Sequence, residues 1–98
     1  MSFVQIVEFT TSKFDEMRAL EDQWRAETAG KRPNTRILTC RDRDRTGHYY
    51  MIVEFPSYEE AMRNSGLPET ERNSREMAEL ADGPVGFTNL DVLSVDAD

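Results

Sequence analysis

A chain of 98 residues is enough for one domain with a small core, and its single cysteine, Cys40, excludes an intramolecular disulfide and any zinc site built from a cysteine cluster. A formal net charge of −7 argues against a nucleic-acid partner, which needs a basic face to displace counterions from phosphates. No stretch approaches the roughly 18 consecutive apolar residues of a membrane span, and the opening Met1-Ser2-Phe3-Val4-Gln5 lacks the marks of a signal peptide, so a cytoplasmic protein that contacts no membrane is expected.

The first strand is expected over about Phe3 to Phe9. Ser12 with Asp15 has the spacing of a capping box and predicts a helix from near Lys13. Phe14, Met17, Leu20 and Trp24 recur at three- and four-residue steps and make one apolar face, while Lys13, Arg18, Glu21, Asp22 and Arg25 fill much of the remainder. Gly30 suits a left-handed C-terminal cap, and Pro33 bars continuation. Thr35 to Arg41 reads as a second strand, Asp42 to Gly47 as a polar turn and His48 to Phe55 as a third strand, which together make a hairpin. Ser57 with Glu60 is a second capping box. The helix it starts is interrupted at Ser65-Gly66-Leu67-Pro68, and Pro68 is well placed to open a new one. That helix carries Leu67, Ser74, Met77 and Ala81 on roughly one buried stripe and ends at Gly83-Pro84; Val85 to Val95 reads as the fourth strand.

Two segments repeat one design. Ile6-Val7-Glu8-Phe9 and Ile52-Val53-Glu54-Phe55 are each followed by a short break and an acidic, amphipathic helix start. The order is β-α-β-β-α-β, a ferredoxin-like α+β fold with one four-stranded antiparallel sheet and both helices on one face. The crossovers are read as placing the first and third strands parallel in its middle. Alternation assigns Phe3, Val7, Phe9, Tyr49, Met51, Val53 and Phe55 to the helix side, and Val4, Ile6, Glu8, His48, Tyr50, Ile52 and Glu54 to the open side. The open side is too apolar to face water, so a homodimer closing two sheets into an α-β barrel is expected.

The duplicated Ile-Val-Glu-Phe strands, the hairpin ending Gly47-His48-Tyr49-Tyr50, the broken helix Asn64-Ser65-Gly66-Leu67-Pro68-Glu69-Thr70 and the closing segment Gly83 to Val92 resemble the dimeric α-β barrel superfamily. The resemblance covers the whole chain, and the nearest branch is the small antibiotic-biosynthesis-monooxygenase-like group. It implies a cofactor-independent monooxygenase acting on an aromatic or polyketide-like metabolite, or else a non-catalytic dimer of the same fold that binds a small molecule or serves as an interaction module. It also implies a ligand held between the sheet and the second helix, with Asn64 on that helix as a match to the family's asparagine. Two features depart from the family. The only tryptophan, Trp24, is on the first helix, and the only histidine, His48, is on a strand, so neither the paired Asn-Trp nor the helix-borne haem ligand is present.

No Gly-rich phosphate loop, metal-ligand spacing or nucleophile elbow is present, so no cofactor and no metal are expected. The candidate set is Asn64, Tyr49 and Glu54 for catalysis, with Trp24, Met51, Glu8, His48 and Tyr50 for holding a ligand. Asn64 and Tyr49 would position a substrate, Trp24 would wall the cleft, and a glutamate or histidine would take a proton. Glu8 and Glu54 are read as neighbours on adjacent strands, able to raise one another's pKa, or else each paired with an arginine such as Arg36 or Arg41. Six of the twelve basic residues lie between Lys31 and Arg45, read either as an anion-binding lip or as a solvated hairpin that keeps an edge strand soluble.

Overall fold

The computed structural model describes residues 2–33 and 35–98. Its elements are β1 (Phe3–Thr10), α1 (Phe14–Glu27), β2 (Arg36–Arg41), β3 (His48–Phe55), α2 (Tyr58–Ser65), α3 (Pro68–Leu80) and β4 (Gly86–Asp91). The strands form one sheet in the order β2-β3-β1-β4, with every neighbouring pair antiparallel. The ferredoxin-like expectation therefore holds, with the second helix split in two.

One expectation is corrected by the register. β1 and β3 run antiparallel, Phe3 opposite Phe55 and Thr10 opposite His48. The reason is connectivity: the α1 crossover makes β2 parallel to β1 in direction, and the hairpin then reverses β3. Glu8 sits opposite Tyr50, and Glu54 opposite Val4. The two carboxylates are thus four residues apart along the sheet, roughly 13 Å at strand rise, and do not form a pair.

The face assignment holds. Phe3, Val7, Phe9, Val53 and Phe55 are buried beneath the helices, with Met17, Trp24 and Ala61 packed from above. Each fully buried large side chain contributes about 1.5–3 kcal/mol. Phe3 adds edge-to-face contact with Tyr58 at 5.4 Å between centroids. On the opposite side Val4, Ile6 and Ile52 are half-buried in the isolated chain, and Leu38 is exposed.

Local signals fared unevenly. Ser57 caps α2 by accepting from the Glu60 N–H, as its spacing predicts. Ser12 does not cap α1. The buried Thr11 Oγ1 instead accepts from the Lys13 N–H and donates to the Leu80 carbonyl, tying the start of α1 to the end of α3. Gly30 and Gly47 are the glycines with positive φ, +82° and +76°, where a side chain would strain the backbone. β4 stops at Asp91, short of Val95, because β1 offers partners only from Phe3 onward. α3 buries no residue completely; Met77 and Ala81 are half-buried and Ser74 is exposed, so the predicted stripe is only partly covered. Among the described residues no helix is long and apolar enough to cross a membrane.

Candidate functional site

α3 stands off the sheet, and the gap beneath it is a pocket of about 310 Å³. Odd-numbered residues of β1 and β3 make its floor: Gln5, Val7, Met51, Val53 and Phe55. Two helices and the end of a third wall it, through Glu21 and Trp24 of α1, Asn64 of α2, and Thr70, Asn73 and Met77 of α3. Phe87 of β4 completes the rim. An apolar cavity of this size with a few convergent polar groups has the character of a small-molecule site.

The broken helix is what aims Asn64. α2 begins at its Ser57 cap and ends when the Gly66 N–H turns back to the Met62 carbonyl. Pro68 then starts α3 without needing a donor. Asn64, in the last turn before the break, is only 7% exposed, and its carboxamide oxygen is buried without a hydrogen-bond partner. Such a group costs about 1–3 kcal/mol when left unpaired, so it marks a place where a ligand's hydrogen bond would be welcome.

Trp24 is held at its indole N–H and over its ring. Its indole N–H donates to Thr70 Oγ1 at 2.9 Å, linking α1 to α3. The Arg32 guanidinium lies over its ring, 5.4 Å from the centroid. Arg32 is itself fixed by Thr28, whose hydroxyl accepts from Nε at 3.1 Å. Ion pairs between Glu27 and Arg72 and between Lys31 and Glu69 add to the same α1–α3 junction. The pocket's outer wall is therefore assembled from side-chain ties between helices.

A second polar cluster lies on the opposite face of the sheet. His48 is diagonal to Glu8 across the β1–β3 ladder, the spacing at which long side chains meet. His48 Nε2 and Glu8 Oε1 are 2.7 Å apart. Arg45, from the hairpin turn, donates to the Tyr50 hydroxyl at 2.7 Å and to Asp42 Oδ2 at 3.1 Å. The His48 bond holds the Glu8 carboxyl below its ordinary value. The Asp44 N–H, followed by Arg45, does the same for Asp42. Burial, together with the charge of Glu8, pushes the Tyr50 phenol up against the opposing pull of Arg45. Every member of this network has a partner, which is the pattern of a structural ion-pair cluster.

The structure thus separates the sequence candidates into groups. Asn64, Trp24 and Met51 share the pocket. Glu8, His48 and Tyr50 share the open-face cluster. Tyr49 belongs to neither: it is stacked on Phe14 at 4.3 Å and on Phe9 at 5.7 Å between centroids. Glu54 is bound by Arg36 at 2.8 Å on the open face, one of the arginine pairings the sequence allowed. Gln5, Glu21, Thr70 and Asn73 line the pocket and were not among the candidates. Glu21 was legible in one respect, since it precedes Trp24 by three residues and so shares its helix face. Among the described residues no cluster of three or more histidine, cysteine or acidic side chains is placed to hold a metal.

No protein-family model and no curated protein matches the chain. Solved structures do. A candidate antibiotic biosynthesis monooxygenase from Caulobacter crescentus superposes with a TM-score of 0.81 at 14% identity, over 95% of this chain and 91% of that one. SnoaB, a cofactor-independent oxygenase from Streptomyces nogalater solved as an asparagine-to-alanine variant, gives 0.80 at 16%, over 96% and 95%. The Mycobacterium tuberculosis protein Rv0793 gives 0.78 at 20%, over 99% and 100%. At these identities the likeness is one of architecture: the chain has the ferredoxin-like fold of the antibiotic-biosynthesis-monooxygenase-like proteins.

Proposed function

We propose that this protein is a homodimeric enzyme that oxygenates an aromatic or polyketide-like metabolite without a cofactor. The observation that carries the reading is the buried, unpartnered carboxamide oxygen of Asn64 in a pocket with a largely apolar floor. The fold shared with a cofactor-independent oxygenase supports it. In such chemistry the protein holds the substrate, assists its deprotonation and stabilises the anion while dioxygen reacts. Asn64 supplies the positioning hydrogen bond, Trp24 the flat wall and Met51 an adaptable floor.

The dimer joins the open faces of two sheets. Val4, Ile6, Leu38 and Ile52 supply the apolar centre, with the Glu8–His48–Arg45 cluster at one end and Arg36–Glu54 at the other. Pairing would hide apolar surface that one chain leaves uncovered.

The test is aerobic turnover of dithranol, a hydroxylated anthrone with an acidified ring methylene, by chelator-treated protein. Oxygen uptake and the absorbance of the quinone product are followed together. Asn64→Ala is expected to lower kcat/KM by about 100-fold, a loss of ~2.7 kcal/mol in transition-state stabilisation, while the dimer persists. Full activity in Asn64→Ala would place the site elsewhere. Stabilisation by dithranol without any consumption would make the protein a binder instead.

A further inference from the structure

Glu21 is the only ionisable side chain among the residues lining the pocket. Its side chain is 12% exposed, and its charged neighbour is Arg18, 3.5 Å away and half in solvent. Two acceptors stand out beside the neutral Gln5, Thr70, Asn73 and Ser74 side chains of the lining: the unpartnered Asn64 carboxamide oxygen and the Glu21 carboxylate. A ligand that satisfies them must bring acidic or hydrogen-bond-donating positions of its own, carried on a flat apolar body that fits against Trp24, Met51 and Phe55. That describes a phenolic or enolisable polycyclic aromatic.

We propose that Glu21 is the catalytic proton acceptor of this pocket, an assignment that rests on the oxygenase reading above. The carboxylate takes one proton from the substrate's acidic methylene, leaving a carbanion delocalised into the ring ketone. The carbanion passes an electron to dioxygen, and the resulting radical pair combines into a carbon–peroxide bond. The peroxide oxygen recovers the proton from Glu21, and the hydroperoxide loses water to leave a carbonyl. The methylene carbon is oxidised by four electrons; one atom of dioxygen ends in the carbonyl and the other in water, and Glu21 returns to its starting state. None of the other acids considered for this role can reach the substrate. Glu8 and His48 are bonded to each other on the far side of the sheet, and Glu54 is paired with Arg36 there.

The experiment compares wild type, Glu21→Gln, Glu21→Asp and Arg18→Gln, with circular dichroism as the folding check. Dithranol binding is read anaerobically from quenching of Trp24, the only tryptophan. Turnover is read aerobically over a range of pH. General-base catalysis predicts that Glu21→Gln binds the probe within about 3-fold of wild type yet loses roughly 100-fold or more in kcat. The acid limb of the wild-type kcat profile should disappear in Glu21→Gln and persist in Glu21→Asp. Arg18→Gln keeps near wild-type kcat if the carboxylate acts on substrate, and matches Glu21→Gln if the ion pair only braces the helix; the second result overturns the assignment. Retained turnover in Glu21→Gln also overturns it while leaving the oxygenase reading standing. Wild-type protein that binds dithranol and consumes no oxygen defeats both.

Discussion

Replacing Asn64 with leucine should stabilise the fold while destroying the site. Leucine repeats the branched four-heavy-atom skeleton of asparagine with a larger volume, and the adjoining pocket has room for the excess. The change removes a buried carboxamide oxygen that lacks a partner, a group whose desolvation costs about 1–3 kcal/mol. Leucine is also the better helix former, by a few tenths of a kcal/mol at this α2 position. A net gain of about 1.5 kcal/mol is expected, worth roughly 6–12 °C in Tm for a domain of this size. The assay is thermal and urea denaturation of wild type and Asn64→Leu at one fixed protein concentration, because a dimer's midpoint depends on concentration. An unchanged m value with a raised midpoint would locate the gain in stability rather than in compactness. A lowered midpoint would show that Asn64 is satisfied in the folded protein, and the main support for a ligand site there would fall.

Ile52→Asp should place a charge at the centre of the open face and split the proposed dimer, read by light scattering coupled to size exclusion; a folded variant that is still dimeric would refute the pairing of open faces. Stability should also decline in acid. Glu8 and Asp42 are held below their ordinary values of 4.5 and 3.8, so their contributions are complete above those values and are lost as pH falls through the depressed ones. Glu8→Gln should therefore be less stable than wild type at neutral pH, and the gap should close as the pH falls below the ordinary value of 4.5 and through the depressed one, read from denaturation curves. A gap that stays constant with pH would mean that the Glu8–His48 bond is not coupled to folding.

The fold was legible because three signals agreed. The alternating runs in Phe3–Phe9 and His48–Phe55, the Ser57 cap, and the Gly66-Leu67-Pro68 break each point to the same element order. Failures came where local spacing competed with tertiary contact. Ser12 has the right offset from Asp15, yet Thr11 is the residue buried against the end of α3, and its hydroxyl rather than that of Ser12 accepts from the Lys13 N–H, leaving α1 without a side-chain cap. The relation of Glu8 to Glu54 depended on strand direction, which the repeat alone does not encode, because two similar segments can sit antiparallel as readily as parallel. Of the candidate residues read from the sequence, Asn64, Trp24 and Met51 line the pocket. Glu21 reads as one more polar residue on a helix surface until α3 packs over it, and only the register sets His48 diagonal to Glu8. Long-range partners of this kind carry no signature in their own segment.

α3 supplies much of the pocket wall yet buries no residue completely. The side chains that hold the molecule together, such as Phe3, Phe9, Phe55 and Met17, lie on other elements. Mutational tolerance and chemical selectivity are thus assigned to different parts of the chain. Substitutions along Asn73, Met77 and Ala78 can reshape the cavity while drawing little on the narrow margin of stability that limits small domains. A lineage carrying this fold can change what it accepts by drifting along one helix, and the sheet beneath need not change with it.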